Sequence, residues 1–369
     1  MGEYFIYHLR KTWVRFAVLA SILCVLVNST VCLKSRSFDG DINVSGNLII
    51  FALFIIVAPV AVTGLEFGQF MNRRNLDTWF SLPISRVNLF LTHFLNGAGQ
   101  LTVSLLAGIV VACAKFSPYS KFRINEVWNF FWVALGLMLL LYMLLTFLFV
   151  NANNVFDGCV FMLGSYMIPN AIFTMIRTIV IGGSLERLVT KSEEDSFKWI
   201  FNGYTIYMEM IRAGVRYTSA LDKTTRELST ASYIYDRVRG YIEASIPNIL
   251  LWTMISAAAF CGAILVFSKK KTEKVSGVSD SWFGYKTFIP IVSAGTLMSS
   301  AASVASLSNG NGNFIGVISL ILPIPTFIGI FISFIIFRRG IKLKVSDLIT
   351  MGALLLFYIV CVFAFKMMA

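Results

Sequence analysis

Side chains able to do acid–base, nucleophilic or metal chemistry are scarce in this chain. Histidine occurs only as His8 and His93, so a histidine-dependent catalytic site is poorly supplied. His93 falls near the start of an apolar block. It reads as a helix-end or packed histidine before a proton relay. Asp157 and Glu243 lie at block edges, and Arg177 lies near a block end. Almost nothing ionisable is expected near the middle of an apolar block. An ion-coupled carrier usually needs such a group to bind and release its driving ion. Backbone and hydroxyl ligands for Na+ stay open. The six cysteines, Cys24, Cys32, Cys113, Cys159, Cys261 and Cys361, lie in or beside apolar blocks with no C-x-x-C pair. They read as small buried hydrophobes, not disulfides or metal ligands. The chain has no G-x-x-x-x-G-K-[ST], H-E-x-x-H or G-x-S-x-G motif and no paired-carboxylate arrangement suited to acid–base catalysis. The expectation is a protein that is not an enzyme, binds no metal or cofactor itself, and takes any energy from another chain.

The elements that must position these residues are apolar. The chain is 57% hydrophobic and 14% charged, against about a quarter charged in soluble domains. Its apolar residues fall in blocks long enough to cross about 30 Å of hydrocarbon, where helices satisfy every backbone group. Nine blocks qualify as spans: 16–33, 48–65, 89–114, 127–150, 158–180, 247–268, 287–307, 314–337 and 347–365. The fold class expected is an all-α polytopic membrane protein. The net charge of +12 reads as topology, not nucleic-acid binding, because basic residues cluster at block ends.

Those clusters orient the chain. Arg10, Lys11 and Arg15 place the N-terminus inside. Arg73, Arg74 and Arg86 place the 66–88 loop inside, as Lys269, Lys270, Lys271 and Lys274 do for 269–286. Arg338, Arg339, Lys342 and Lys344 place 338–346 there too. Lys34, Arg36, Lys115, Lys121 and Arg123 count against the rule without overturning it. No convincing small-residue cleavage site follows the first block, so a retained span is expected. Residues 1–15 repeat Phe5, Leu9, Trp13 and Phe16 at helical spacing, with Arg10, Lys11 and Arg15 elsewhere on the wheel. This fits an N-terminal interfacial helix or a long first span with a charged start. Segment 181–246, nearly balanced in charge, reads as an outer helical cap with helices near 204–217 and 233–245.

The loop between spans two and three, Glu66 to Arg86, has a pattern of its own. Leu76, Trp79, Phe80 and Pro83 give a short helix an apolar face, and Asn75 or Asp77 can cap or stabilise its start. Pro83 then redirects the chain into span three. Such a helix either docks into a groove on a partner or lies on the bilayer surface.

The run Arg73-Arg-Asn-Leu-Asp-Thr-Trp-Phe-Ser-Leu-Pro-Ile-Ser-Arg86 resembles the loop between the second and third spans of ABC-2 type transporter permeases. In that family it forms the coupling helix that engages the ATPase. Lys269-Lys-Lys-Thr-Glu-Lys-Val-Ser-Gly277 is similar to the basic stretch after span six of many Gram-positive members. The outer elaboration between spans five and six also matches. The resemblance covers 1–268 as a six-span core, leaving 287–369 as three additional spans. It implies that Arg73, Arg74, Asp77, Leu82, Pro83, Ile84, Ser85 and Arg86 face the ATPase. Leu76, Trp79 and Phe80 would pack into the ATPase cleft or back onto the spans, Trp79 being bulkier than the usual leucine. The turn Asn151–Asp157 would be a smaller contact.

The implied protein is the membrane subunit of an exporter in a bacterial inner membrane, N-terminus cytoplasmic. It would pair with a second permease, itself or a related chain, and with ABC ATPase subunits that bind ATP and Mg. Pro59 and Pro169 are candidate hinges, against ordinary proline tolerance in membrane helices. Gly295, Ser299 and Ser303 form a small-residue ridge for close packing. The 33 phenylalanines favour an amphipathic or lipophilic substrate such as a peptide antibiotic. An ion-coupled or facilitative carrier, and a sensor using the outer cap, remain as alternatives. A carrier would call for inverted repeats and a midplane polar site, neither clear in the sequence.

Overall fold

The computed structural model describes residues 2–32, 48–116, 124–180, 250–308 and 323–368, apart from 272, 274, 278, 280 and 342. The outer cap expected at 181–246 lies outside them, as does the start of the block at 314–337. The described elements are helices: α1 Gly2–Cys32, α2 Leu48–Phe67, α3 Arg73–Phe80, α4 Arg86–Phe116 and α5 Ile124–Asn151. Then come α6 Val155–Val180, α7 Leu250–Ser268, α8 Tyr285–Ser308, α9 Pro323–Arg338 and α10 Val345–Met368. A short 3₁₀ turn, Gly68–Met71, links α2 to α3. Six helices among the described residues are long and apolar enough to cross a membrane. The chain is a multi-pass membrane protein, and its described elements are all helical.

Two compact units emerge, Met1–Val150 with Tyr204–Ser276, and Asn151–Gly203 with Gly277–Ala369. In the first, α4 packs along α1 and α2. Glycine permits the closest approaches there. A Cβ at Gly108 would lie 2.7 Å from Leu23 of α1, and one at Gly97 would overlap the Tyr142 ring of α5. Phe67, Phe70, Phe90 and Phe267 stack edge to face or tilted, tying α7 to the α2–α4 corner. In the second unit α8 packs against α6, α9 and α10, and Gly295 approaches Ala171 closely.

No break separates residues 2–15 from the rest of α1. Its orientation turns part of the apolar face outward. Leu9 and Trp13 are exposed (39% and 65%), whereas His8 and Thr12 are buried (4% and 3%). In lipid the apolar side chains face outward, and polar ones turn inward to find partners, because hydrocarbon offers them none. Pro59 lies inside α2, whose helix continues past it, and Thr63 Oγ1 donates to the Pro59 carbonyl at 2.7 Å. Pro169 lies within α6, its side chain outside the described set.

Candidate functional site

The apolar run of α2 does not stop at residue 65. The helix continues through Phe67 and carries Glu66 into the interior, fully buried, where the sequence suggested the first residue of a loop. A bare carboxylate in so apolar a place would be costly, so donors must surround it. They come from α1 and α4. His8 Nε2 lies 2.9 Å and His93 Nδ1 3.0 Å from Glu66 Oε2. Asn96 Nδ2 (3.0 Å), Gln100 Nε2 (2.7 Å) and Arg15 Nη1 (3.2 Å) donate to Oε1. The chain's two histidines therefore converge on one carboxylate, their rings 4.1 Å apart. His93 is packed near a helix start, as the sequence suggested, but it also joins a cluster of acid–base and potential metal-ligating groups that the sequence reading did not bring together.

Thr12 and Asn96 bond to each other beside the carboxylate, Nδ2 to Oγ1 at 3.0 Å. Tyr4 Oη sits 3.1 Å from His93 Nε2, and the Gln69 amide 3.3 Å from the same nitrogen. The buried Gln100 Oε1 and Tyr142 Oη have no hydrogen-bond partner among the described residues. The signal for this cluster was present as polar stripes. His8, Thr12 and Arg15 recur at i, i+4, i+7 in α1, and His93, Asn96 and Gln100 at i, i+3, i+7 in α4. Each stripe places three polar groups on one helix face.

Helix α3 roofs the cluster. The fully buried Leu76 anchors it. The half-buried Trp79 places its indole 5.9 Å from the His93 ring and 6.1 Å from Tyr4 and Phe70. Phe80, also half-buried, lies 6.1 Å from Phe267. Arg73, Asn75, Asp77 and Thr78 form the exposed face. The Arg74 side chain lies outside the described set. The cap position belongs to Asn72, whose backbone is extended (φ −104°, ψ 124°) before the helix begins. Asn75 and Asp77 lie inside the helix, not at its cap.

The turn after α3 is fixed at both ends. Leu82 and Ile84 are half-buried, while Pro83 and Ser85 are exposed. Ser85 Oγ accepts from Asn88 N–H at 3.2 Å and caps α4. Arg86 stacks 4.3 Å over the Phe80 ring and donates to the Ser268 and Lys270 carbonyls at 3.0 and 3.1 Å. It thus satisfies carbonyls at the end of α7. The next basic residue is also committed. Lys270, expected as a loop charge, is buried, with Nζ 3.2 Å from the Val150 carbonyl and 3.2 Å from Met71 Sδ. Burial pushes its ammonium down to about 7.

In the second unit, the turn between α5 and α6 is pinned by Asp157. Asn154 Oδ1 accepts from its backbone N–H, capping α6. The buried carboxylate accepts from Ser279 Oγ at 2.6 Å and from Tyr285 Oη at 3.0 Å. Arg339 lies 3.6 Å away. This carboxylate serves its own unit.

No family model matches the chain, and neither does any curated protein or solved structure.

Proposed function

We propose that this chain is the membrane subunit of an ATP-driven exporter of the ABC-2 kind. The observation that carries the reading is α3. It is a short helix between two apolar helices, anchored inward by Leu76, Trp79 and Phe80, with Arg73, Asn75, Asp77 and Thr78 facing outward. A helix so anchored transmits a push on its polar face to the spans beneath. ATP and Mg would sit on a separate P-loop subunit. ATP-driven closure of that subunit would favour one arrangement of the spans by binding it better. Two permease chains, alike or related, would enclose an apolar path for an amphipathic or lipophilic substrate such as a peptide antibiotic. The basic clusters support a cytoplasmic side for the N-terminus and α3, in what would be a bacterial inner membrane.

The test is affinity purification of the tagged chain from native membranes, followed by mass spectrometry and an ATPase assay. The reading expects a P-loop ATPase, lost on Arg73→Ala with Asp77→Ala. These are better probes than Arg86, which also holds the end of α7. Recovery of the intact chain alone, with no nucleotide turnover, would overturn it. In that case the buried Glu66 favours an ion-coupled carrier, because an intramembrane carboxylate with histidine partners suits ion binding and release.

A further inference from the structure

Glu66 uses its two oxygens differently. Oε1 is held by Asn96, Gln100 and Arg15, which fix the plane of the carboxylate. Oε2 faces the two imidazoles, His8 Nε2 at 2.9 Å and His93 Nδ1 at 3.0 Å. One ligand atom from each residue lies within 4.8 Å of the others. We propose that His8, Glu66 and His93 form a binding site for a first-row divalent metal ion, with zinc the favoured occupant.

The chemistry of the donors selects the ion. Two imidazoles and one carboxylate suit Zn(II), Co(II) and Fe(II). Magnesium and calcium prefer all-oxygen shells, and no thiolate is present to favour Cu(I). Zinc bonds of about 2.0–2.2 Å place tetrahedral ligand atoms about 3.3 Å apart. The oxygen–nitrogen separations here are shorter by a few tenths of an ångström, as expected where protons bridge the same atoms.

The surroundings match what bound metals require of their outer partners. With Nδ1 of His93 on the metal, its Nε2–H points to the Tyr4 oxygen 3.1 Å away, which fixes the tautomer. Gln100 donates to the Glu66 Oε1 through its nitrogen while its own buried Oε1 has no partner among the described residues. That oxygen is an acceptor for a water completing the metal's fourth position. Arg15 is the opposing charge that contacts the cluster among the described residues. It touches the far oxygen of the carboxylate, and its side chain is 37% exposed, so it can withdraw. A bound ion would clamp α1, α2 and α4 together directly beneath Trp79 of α3. The site itself does not depend on the exporter reading.

The test uses full-length chain in mild detergent, purified without a polyhistidine tag. Elemental analysis should find about one zinc per chain. After chelation, zinc should rebind in competition with a chromophoric chelator, and Co(II) should give the visible bands of a tetrahedral site. Magnesium and calcium should not compete. His93→Asn and Glu66→Gln should lose stoichiometric binding. Tyr4→Phe should weaken it by about tenfold or more. Arg15→Met keeps all three ligands and removes the opposing charge, so it should tighten binding. Folded protein without stoichiometric zinc or cobalt bands would overturn the proposal. So would zinc binding unchanged by His93→Asn, or weakened by Arg15→Met.

Discussion

Replacing Glu66 by alanine strips one acceptor from five donors at once: His8, Arg15, His93, Asn96 and Gln100. Four of those residues are buried, so water cannot readily take the place of the carboxylate. An unsatisfied buried donor costs about 1–3 kcal/mol, but partners in the membrane average only about 0.6 kcal/mol each. Five such bonds then sum to about 3 kcal/mol, and loss of a buried charged partner costs about 3–5 kcal/mol. For a unit of this size each kcal/mol lowers Tm by about 2–4 °C, so Glu66→Ala should lower it by about 6–20 °C. The assay is thermal unfolding in detergent followed by tryptophan fluorescence, with chelator present to exclude metal effects. Glu66→Gln keeps one acceptor oxygen and should lose less. Asp77→Ala, on the exposed face of α3, serves as the control. A Glu66→Ala chain within about 2 °C of the parent would refute the claim that this cluster organises the first unit.

Other outcomes follow from the same geometry. Lys270 has its folded pKa lowered to about 7, below its unfolded value. Below pH 7 both states are charged and the folded state bears the whole cost of burial. Between pH 7 and the unfolded value the unfolded chain binds more protons, so stability should rise with pH. Denaturation midpoints between pH 6 and 9 should show that slope, and Lys270→Met should flatten it. Gly97→Val, which drives a side chain into Tyr142 and Val62, should destabilise by about 1–3 kcal/mol in a thermal-shift assay. Asp157→Ala removes the acceptor of the Ser279 and Tyr285 hydroxyls and should cost about 2–4 kcal/mol, measured by the same assay. Arg86→Ala should lower both stability and ATPase recovery, whereas Arg73→Ala should lower recovery alone.

Six of the nine expected spans, and α3, were legible because periodicity and apolar length act locally; the helices at the blocks 158–180, 287–307 and 314–337 are not among the six. Leu76, Trp79 and Phe80 announced an apolar face, and the structure turns that face inward. The cluster under it was not legible by the same means. Glu66 stands one residue beyond an apolar run, where a buried carboxylate and a loop-opening one look alike. Its partners come from residues 58 and 27 positions away, a proximity created only by the packing of α1, α2 and α4. At the N-terminus the outward Leu9 and Trp13 fit the helix read from the sequence, whereas the buried His8 and Thr12 behind them gained their role only from packing. Lys270 looked like a topology charge because adjacent lysines share a composition, not an environment. The cap of α3 moved to Asn72 because helix ends are set within a residue or two by backbone geometry.

The central claim is that the exposed face of α3 meets an ATPase. A photo-crosslinking amino acid at position 77, activated in native membranes, tests it most directly. A covalent adduct between this position and a P-loop ATPase is expected, diminished when ATP is withheld or trapped unhydrolysed. Adducts found only with lipid, or only with other parts of the same chain, would contradict it.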